Sequence, residues 1–149
     1  MSVIDAGSAA NAFVAGMVEK AINDLYVCFP CRVISFDSAS GMAAVQPLFR
    51  KADKEPALIQ NVPAIGQKLI VKEHEQTIVD QGIERTIIIK EHEEIHFPNV
   101  KSGDTVLVVC ADGEIRNTLS GQIAIPVSKR MHSKNDAVIV GVLPCSLLS

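Results

Sequence analysis

The sequence has no tryptophan, one tyrosine and five phenylalanines among its 149 residues. Any core must therefore be aliphatic, and the stacking platform on which single-stranded bases rest is thin. A basic excess is missing too: 14 Lys and Arg stand against 17 Asp and Glu, a formal net charge of −3. Proteins that grip phosphate backbones concentrate cations to displace counterions, so no nucleic-acid partner is expected. Glycines are too scattered for a phosphate loop, Gly103 and Gly113 forming neither a G-x-G-x-x-G nor a P-loop pattern.

Cysteine is sparse. Cys28, Cys31, Cys110 and Cys145 are the only four, and they build no dense disulfide framework. No Lys or Arg precedes Lys20 and Asp5 lies near the start, so the basic opening of a secretory signal is absent. The apolar stretch from Ala9 to Val18 holds Asn11 and falls short of the roughly 20 residues that cross a bilayer. The expectation is a soluble chain, made in a cytoplasm, without stable membrane insertion.

What is present is a globular composition, 48% hydrophobic and 21% charged, in a length that suits one domain. Residues 9–24 read as an amphipathic helix with Ser8 as N-cap: Ala10, Phe13, Val14, Met17, Val18, Ala21 and Leu25 recur at three- and four-residue steps. Pro30 stops any continuation, and the texture changes to strands. Arg32–Phe36 and Met42–Leu48 flank the turn-rich Asp37-Ser38-Ala39-Ser40-Gly41. A charged loop spans Arg50–Pro56, and Leu58–Val62 and Lys68–Lys72 flank a turn at Pro63–Gly66. Thr77–Val79 and Arg85–Lys90 surround the hairpin signal Asp80-Gln81-Gly82. Thr105–Ala111 and Ala137–Val142 complete the strands, the latter stopped by Pro144. One helix followed by many short strands predicts a mainly β fold, a small OB-like barrel with an N-terminal α-helix.

Three groups of residues carry potential chemistry. Cys28-Phe29-Pro30-Cys31 has the spacing of a redox pair, but it precedes a strand, so no helix N-terminus lowers a thiol pKa. Two small residues at a turn account for it, and zinc would need a second ligand pair that Cys110 and Cys145 do not make. The second group is an internal echo, Lys72-Glu73-His74-Glu75 and Lys90-Glu91-His92-Glu93, with Glu94 and His96 beyond. If His74 and His92 meet across a hairpin, the surrounding carboxylates could complete a divalent-metal site. Alternating Lys and Glu more commonly form a solvated strand face, and no metal or cofactor is expected. The third is Arg130-Met131-His132-Ser133-Lys134-Asn135-Asp136, where His and Asp could make a catalytic pair. No nucleophile or oxyanion donor is identifiable, and an Arg–Asp pair closing a polar loop explains these residues better. No catalytic residue is expected.

Several phrases together resemble a known family. They are Tyr26-Val27-Cys28-Phe29-Pro30-Cys31-Arg32-Val33-Ile34-Ser35-Phe36-Asp37 after the helix, Ala43-Ala44-Val45-Gln46-Pro47-Leu48, Asn61-Val62-Pro63, Lys101-Ser102-Gly103-Asp104-Thr105-Val106-Leu107-Val108-Val109, and Arg130–Ala137. In this order they resemble the N-terminal OB domain of the membrane-piercing central spikes of contractile-tailed phages. The resemblance implies a homotrimer under the tail tube, at the baseplate hub of a virion assembled in the host cytoplasm. Its implied partners are tail-tube and hub proteins and a spike tip. Cys31 departs from the family where a turn glycine is expected, and Ile115–Leu119 lack the usual Trp.

The expected organisation is a helix over 1–25, a barrel over 26–144 and a C-terminal tail over 145–149, with Leu147-Leu148 as a docking element. With the chain ending there, the needle is expected on a separate protein. The alternative reading is an OB-fold nucleic-acid-binding module.

Overall fold

The computed structural model describes residues 6–50 and 53–148. The chain divides into two units, residues 1–64 with 100–149, and residues 65–99. The fold is mainly β with an N-terminal helix, as the sequence implies.

In the first unit, helix α1 runs over Ala6–Asp24. It begins before Ser8, which lies inside the helix rather than capping it. Strand β1 (Cys28–Asp37) pairs antiparallel with β2 (Met42–Pro47), and β2 with β3 (Ile59–Pro63). The β1–β2 turn closes through chemistry the sequence announces. Asp37 Oδ1 accepts from the Ala39 N–H at 3.0 Å, Oδ2 accepts from the Ser40 hydroxyl at 2.6 Å, and Gly41 supplies φ +71°. Pro30 sits inside β1 where only β8 (Thr105–Cys110) is its registered neighbour, since pairing with β2 starts at Cys31. Its carbonyl accepts from Leu48 N–H, so the missing N–H interrupts no double-sided ladder.

After residues 65–99 the chain returns as β8 (Thr105–Cys110), antiparallel to β1, and ends in β9 (Ala137–Val142), antiparallel to β8. The sheet order is β3-β2-β1-β8-β9, and a parallel bridge from Ala64 to Ile139 brings its two edges together. A meander, a return to β1 and a parallel edge closure make this curled sheet OB-like. A short helix, α2 (Pro144–Leu147), follows with proline in its first turn.

Inward-facing residues alternate along the strands. Val33, Val45, Val62, Val106, Val108 and Ile139 are 0–2% exposed, with Cys31 and Cys110 packed among them. The aliphatic core follows from the scarcity of aromatics; Tyr26 and Phe29 meet edge to face at its margin, ring centroids 5.7 Å apart.

The second unit is a two-stranded ribbon. Strand β4 (Gln67–Val71) pairs with β7 (His92–His96), and β5 (His74–Asp80) with β6 (Ile83–Ile89). One register runs through both, from Gln67 opposite His96 to Asp80 opposite Ile83, broken only at Lys72-Glu73 and Lys90-Glu91. Gln81 and Gly82 both take positive φ, +49° and +81°, as a two-residue hairpin turn of matching twist requires. Gly66 is required for space: a Cβ there would stand 2.9 Å from the His96 carbonyl.

Candidate functional site

The loop between β8 and β9 holds the densest polar network. Arg130 Nε donates to Asp136 Oδ2 at 2.6 Å and Nη2 donates to Oδ1 at 2.9 Å. Asp136 Oδ1 also accepts from Ile115 N–H at 3.2 Å, and the carboxylate is all but buried. Glu114 accepts from the backbone N–H and the hydroxyl of Ser128, at 2.9 and 3.0 Å, and lies 3.5 Å from Arg130. Hydrogen bonding from Arg130 holds the Asp136 carboxyl below its usual range against the opposing effect of burial. Donors from Ser128 do the same for Glu114. Fork-to-carboxylate geometry of this kind fixes orientation as well as charge, and it pins both feet of residues 115–127.

His132 does not join Asp136. Its Nε2 lies 3.5 Å from Asp112 Oδ1, and its Nδ1 has no partner among the described residues. Its backbone, at φ +46°, is used on both sides: the carbonyl accepts from Tyr26 N–H and the N–H donates to Asp112 O. The His–Asp pair considered from sequence is thus not formed, whereas the Arg130–Asp136 pair is.

The network borders a groove of about 840 Å³, lined by Met42, Leu58, Pro63 and Leu119 with Arg116 and Arg130. It lies on the β2–β3 side of the barrel, where OB folds commonly bind extended ligands. Arg130 is committed to Asp136, and no aromatic side chain lines the groove among the described residues.

The cysteines do not form a reactive pair. Cys28 is exposed and Cys31 fully buried in β1. Burial, with a smaller effect from Cys110, pushes the Cys31 thiol up to about 12; burial raises Cys110 to about 11.

The doubled Lys-Glu-His-Glu sits on the ribbon, where its repetition becomes local symmetry. Lys72 Nζ meets Glu91 at 2.8 Å and Lys90 Nζ meets Glu73 at 3.2 Å, two crossed pairs at the break in the ladder. Each His turns Nδ1 to the carbonyl two residues earlier at 2.9 Å, His74 to Lys72 and His92 to Lys90. The register sets His74 opposite Ile89 and His92 opposite Val71, so the two histidines are not cross-strand neighbours. His92 and His96 instead share Glu94, with Nε2 to carboxylate distances of 3.1 and 3.0 Å. Among the described residues no group of three or more His, Cys, Asp or Glu is placed to hold a metal ion.

The remaining notable surface is apolar. No residue of α1 is buried, and Phe13, Val14, Met17, Val18, Ile22 and Leu25 are 45–70% exposed. The ribbon likewise has no buried residue. No helix among the described residues is long and apolar enough to cross a membrane. Comparison with protein-family models finds no match, and no curated protein matches the chain.

Proposed function

We propose that this chain is a structural subunit of a phage or phage-derived contractile-tail baseplate, the homotrimeric hub or base of the central spike, linking the tail tube to a membrane-piercing tip. The observation that carries the reading is helix α1. Nineteen residues are helical, yet none is buried. Most of a helix's stability in a protein comes from packing an apolar face, and the apolar side chains of α1 recur at the steps that pack against neighbouring helices. Copies of the same chain around an axis supply such a face with no further component. The OB-like fold and the ordered phrases that resemble those of spike proteins support it.

The experiment is light scattering on the purified full chain. A mass three times the 16.0 kDa of the chain is expected, and substitution of Met17 by Glu should lower it. A monomer at all concentrations removes the reading. The nucleic-acid alternative has a place in the β2–β3 groove and predicts salt-dependent binding of a single-stranded oligonucleotide by anisotropy. Binding that strengthens as salt falls would put that alternative first.

A further inference from the structure

We propose that the ribbon of residues 65–99 is itself an assembly surface, whose isoleucine face packs against the same ribbon of other copies of this chain. The inference rests on the symmetric-hub reading and adds to it a second contact, separate from α1.

The register sorts the side chains. In β5–β6 the pairs His74–Ile89, Gln76–Ile87, Ile78–Arg85 and Asp80–Ile83 share one face, and Glu75–Ile88, Thr77–Thr86 and Val79–Glu84 share the other. In β4–β7 the pairs Lys68–Ile95 and Ile70–Glu93 share a face, and Gln67–His96, Leu69–Glu94 and Val71–His92 the opposite one. Each half of the ribbon thus has a face rich in isoleucine. Ile70, Ile78, Ile83, Ile87 and Ile95 on these faces are 41–66% exposed.

A two-stranded ribbon is marginal in water unless an apolar face is covered. This one has no buried residue along either pair of strands.

Charge indicates what covers the ribbon. Residues 65–99 carry four cations against seven carboxylates, which is the chain's entire formal net charge of −3. A surface of that sign would ordinarily repel its own copy. The isoleucine faces, however, are neutral: Arg85 balances Asp80 in β5–β6 and Lys68 balances Glu93 in β4–β7. Glu75, Glu84 and Glu94 lie on the opposite faces, and the four charges at the break cancel in the crossed pairs. A basic partner would gain nothing from this neutral apolar side. A second copy meets no repulsion there and keeps its acidic side in water. In a trimer, three such faces converge on the axis.

The test compares neighbours on one strand. Ile87→Glu alters the isoleucine face and Ile88→Glu the acidic one, and both positions are exposed. Light scattering across a dilution series should show the Ile87→Glu chain dissociating at a concentration at least tenfold higher than wild type. Ile88→Glu should dissociate where wild type does. Should Ile87→Glu unfold the ribbon, amide exchange of the unaltered protein decides: Ile83–Ile89 should be protected in the oligomer and lose protection on dilution to monomer. An oligomeric wild type whose ribbon exchanges freely, or an Ile87→Glu chain that assembles as tightly as wild type, overturns the ribbon contact and leaves the hub reading standing. A wild type that is monomeric throughout overturns both.

Discussion

Arg130 and Asp136 form a two-pronged ion pair, Nε to Oδ2 at 2.6 Å and Nη2 to Oδ1 at 2.9 Å, at the point where an irregular loop of more than twenty residues re-enters the sheet as β9. Asp136 is 1% exposed and its neighbour Ala137 begins the strand. The pair joins the far end of the loop to its beginning, because the same carboxylate accepts from Ile115 N–H. A buried carboxylate with three donors organises a loop that apolar packing alone would leave free.

Substitution of Asp136 by Ala should therefore cost about 3 kcal/mol, the magnitude seen when one partner of a buried pair is removed. In a chain of this size that is a fall of roughly 9 °C in Tm. Arg130→Lys should also destabilise, since a single ammonium cannot span both oxygens. Thermal unfolding by circular dichroism checks both. An Asp136→Ala protein melting with wild type would mean that the loop is held by something else.

Acid should act through the same residue. The Asp136 carboxyl titrates below its ordinary value of 3.8 in the folded chain. A depressed folded pKa contributes stability that is fully present above the unfolded value and is lost as pH falls through the folded one. Glu114 and Asp37, also lowered by the groups that donate to them, act in the same direction. Urea midpoints should hold from pH 7 down to about pH 5 and then decline towards pH 2. In Asp136→Asn the decline should be shallower; an equal slope would remove Asp136 as its source.

How far these features are legible before folding differs by residue. Both hairpin turns announce themselves, since Asp37-Ser38-Ala39-Ser40-Gly41 and Asp80-Gln81-Gly82 carry the side chains and the glycine that their backbones need. The Arg130–Asp136 pair is readable from its six-residue spacing. Its partner Glu114 and the anchor Ser128 are not, because they meet only when an irregular loop closes. Strand β7 leaves no signal in the sequence because His92-Glu93-Glu94-Ile95-His96 holds one apolar residue, and alternation is visible only when one face is buried. The same reason hides the ribbon's separateness, since a sequence shows apolar periodicity but not which face lacks a cover. The groove brings β3 together with residues 115–120, a long-range arrangement with no local signature.

His92 should titrate above its ordinary value of 6.5. Its Nδ1 faces the Lys90 carbonyl and its Nε2 faces Glu94, so both nitrogens meet acceptors and the doubly protonated ring satisfies both. The stability this adds is present below the ordinary value and lost as pH rises through the raised one. An NMR titration should place the His92 midpoint above 6.5, and Glu94→Gln should move it down. Because the Lys90 carbonyl is the larger cause, the variant should restore the ordinary value only in part. A wild-type midpoint at or below 6.5 would contradict the geometry.

The four thiols should divide by burial. Cys28 and Cys145 are exposed, whereas Cys31 and Cys110 lie in the barrel core with thiols pushed up to about 12 and about 11. Alkylation proceeds through the thiolate, and a thiol near 12 instead of its ordinary 9.0 holds about a thousandfold less of it at pH 8. Steric cover slows Cys31 and Cys110 further. Iodoacetamide followed by mass spectrometry should therefore label Cys28 and Cys145 within minutes in the folded protein. Cys31 and Cys110 should react only in denaturant. Because Cys31 can reach an oxidant only when the barrel opens, mild oxidation should leave Cys28 and Cys31 unlinked. A Cys28–Cys31 disulfide formed without unfolding would show that β1 opens at its first turn, and with it the Tyr26–Phe29 margin of the core.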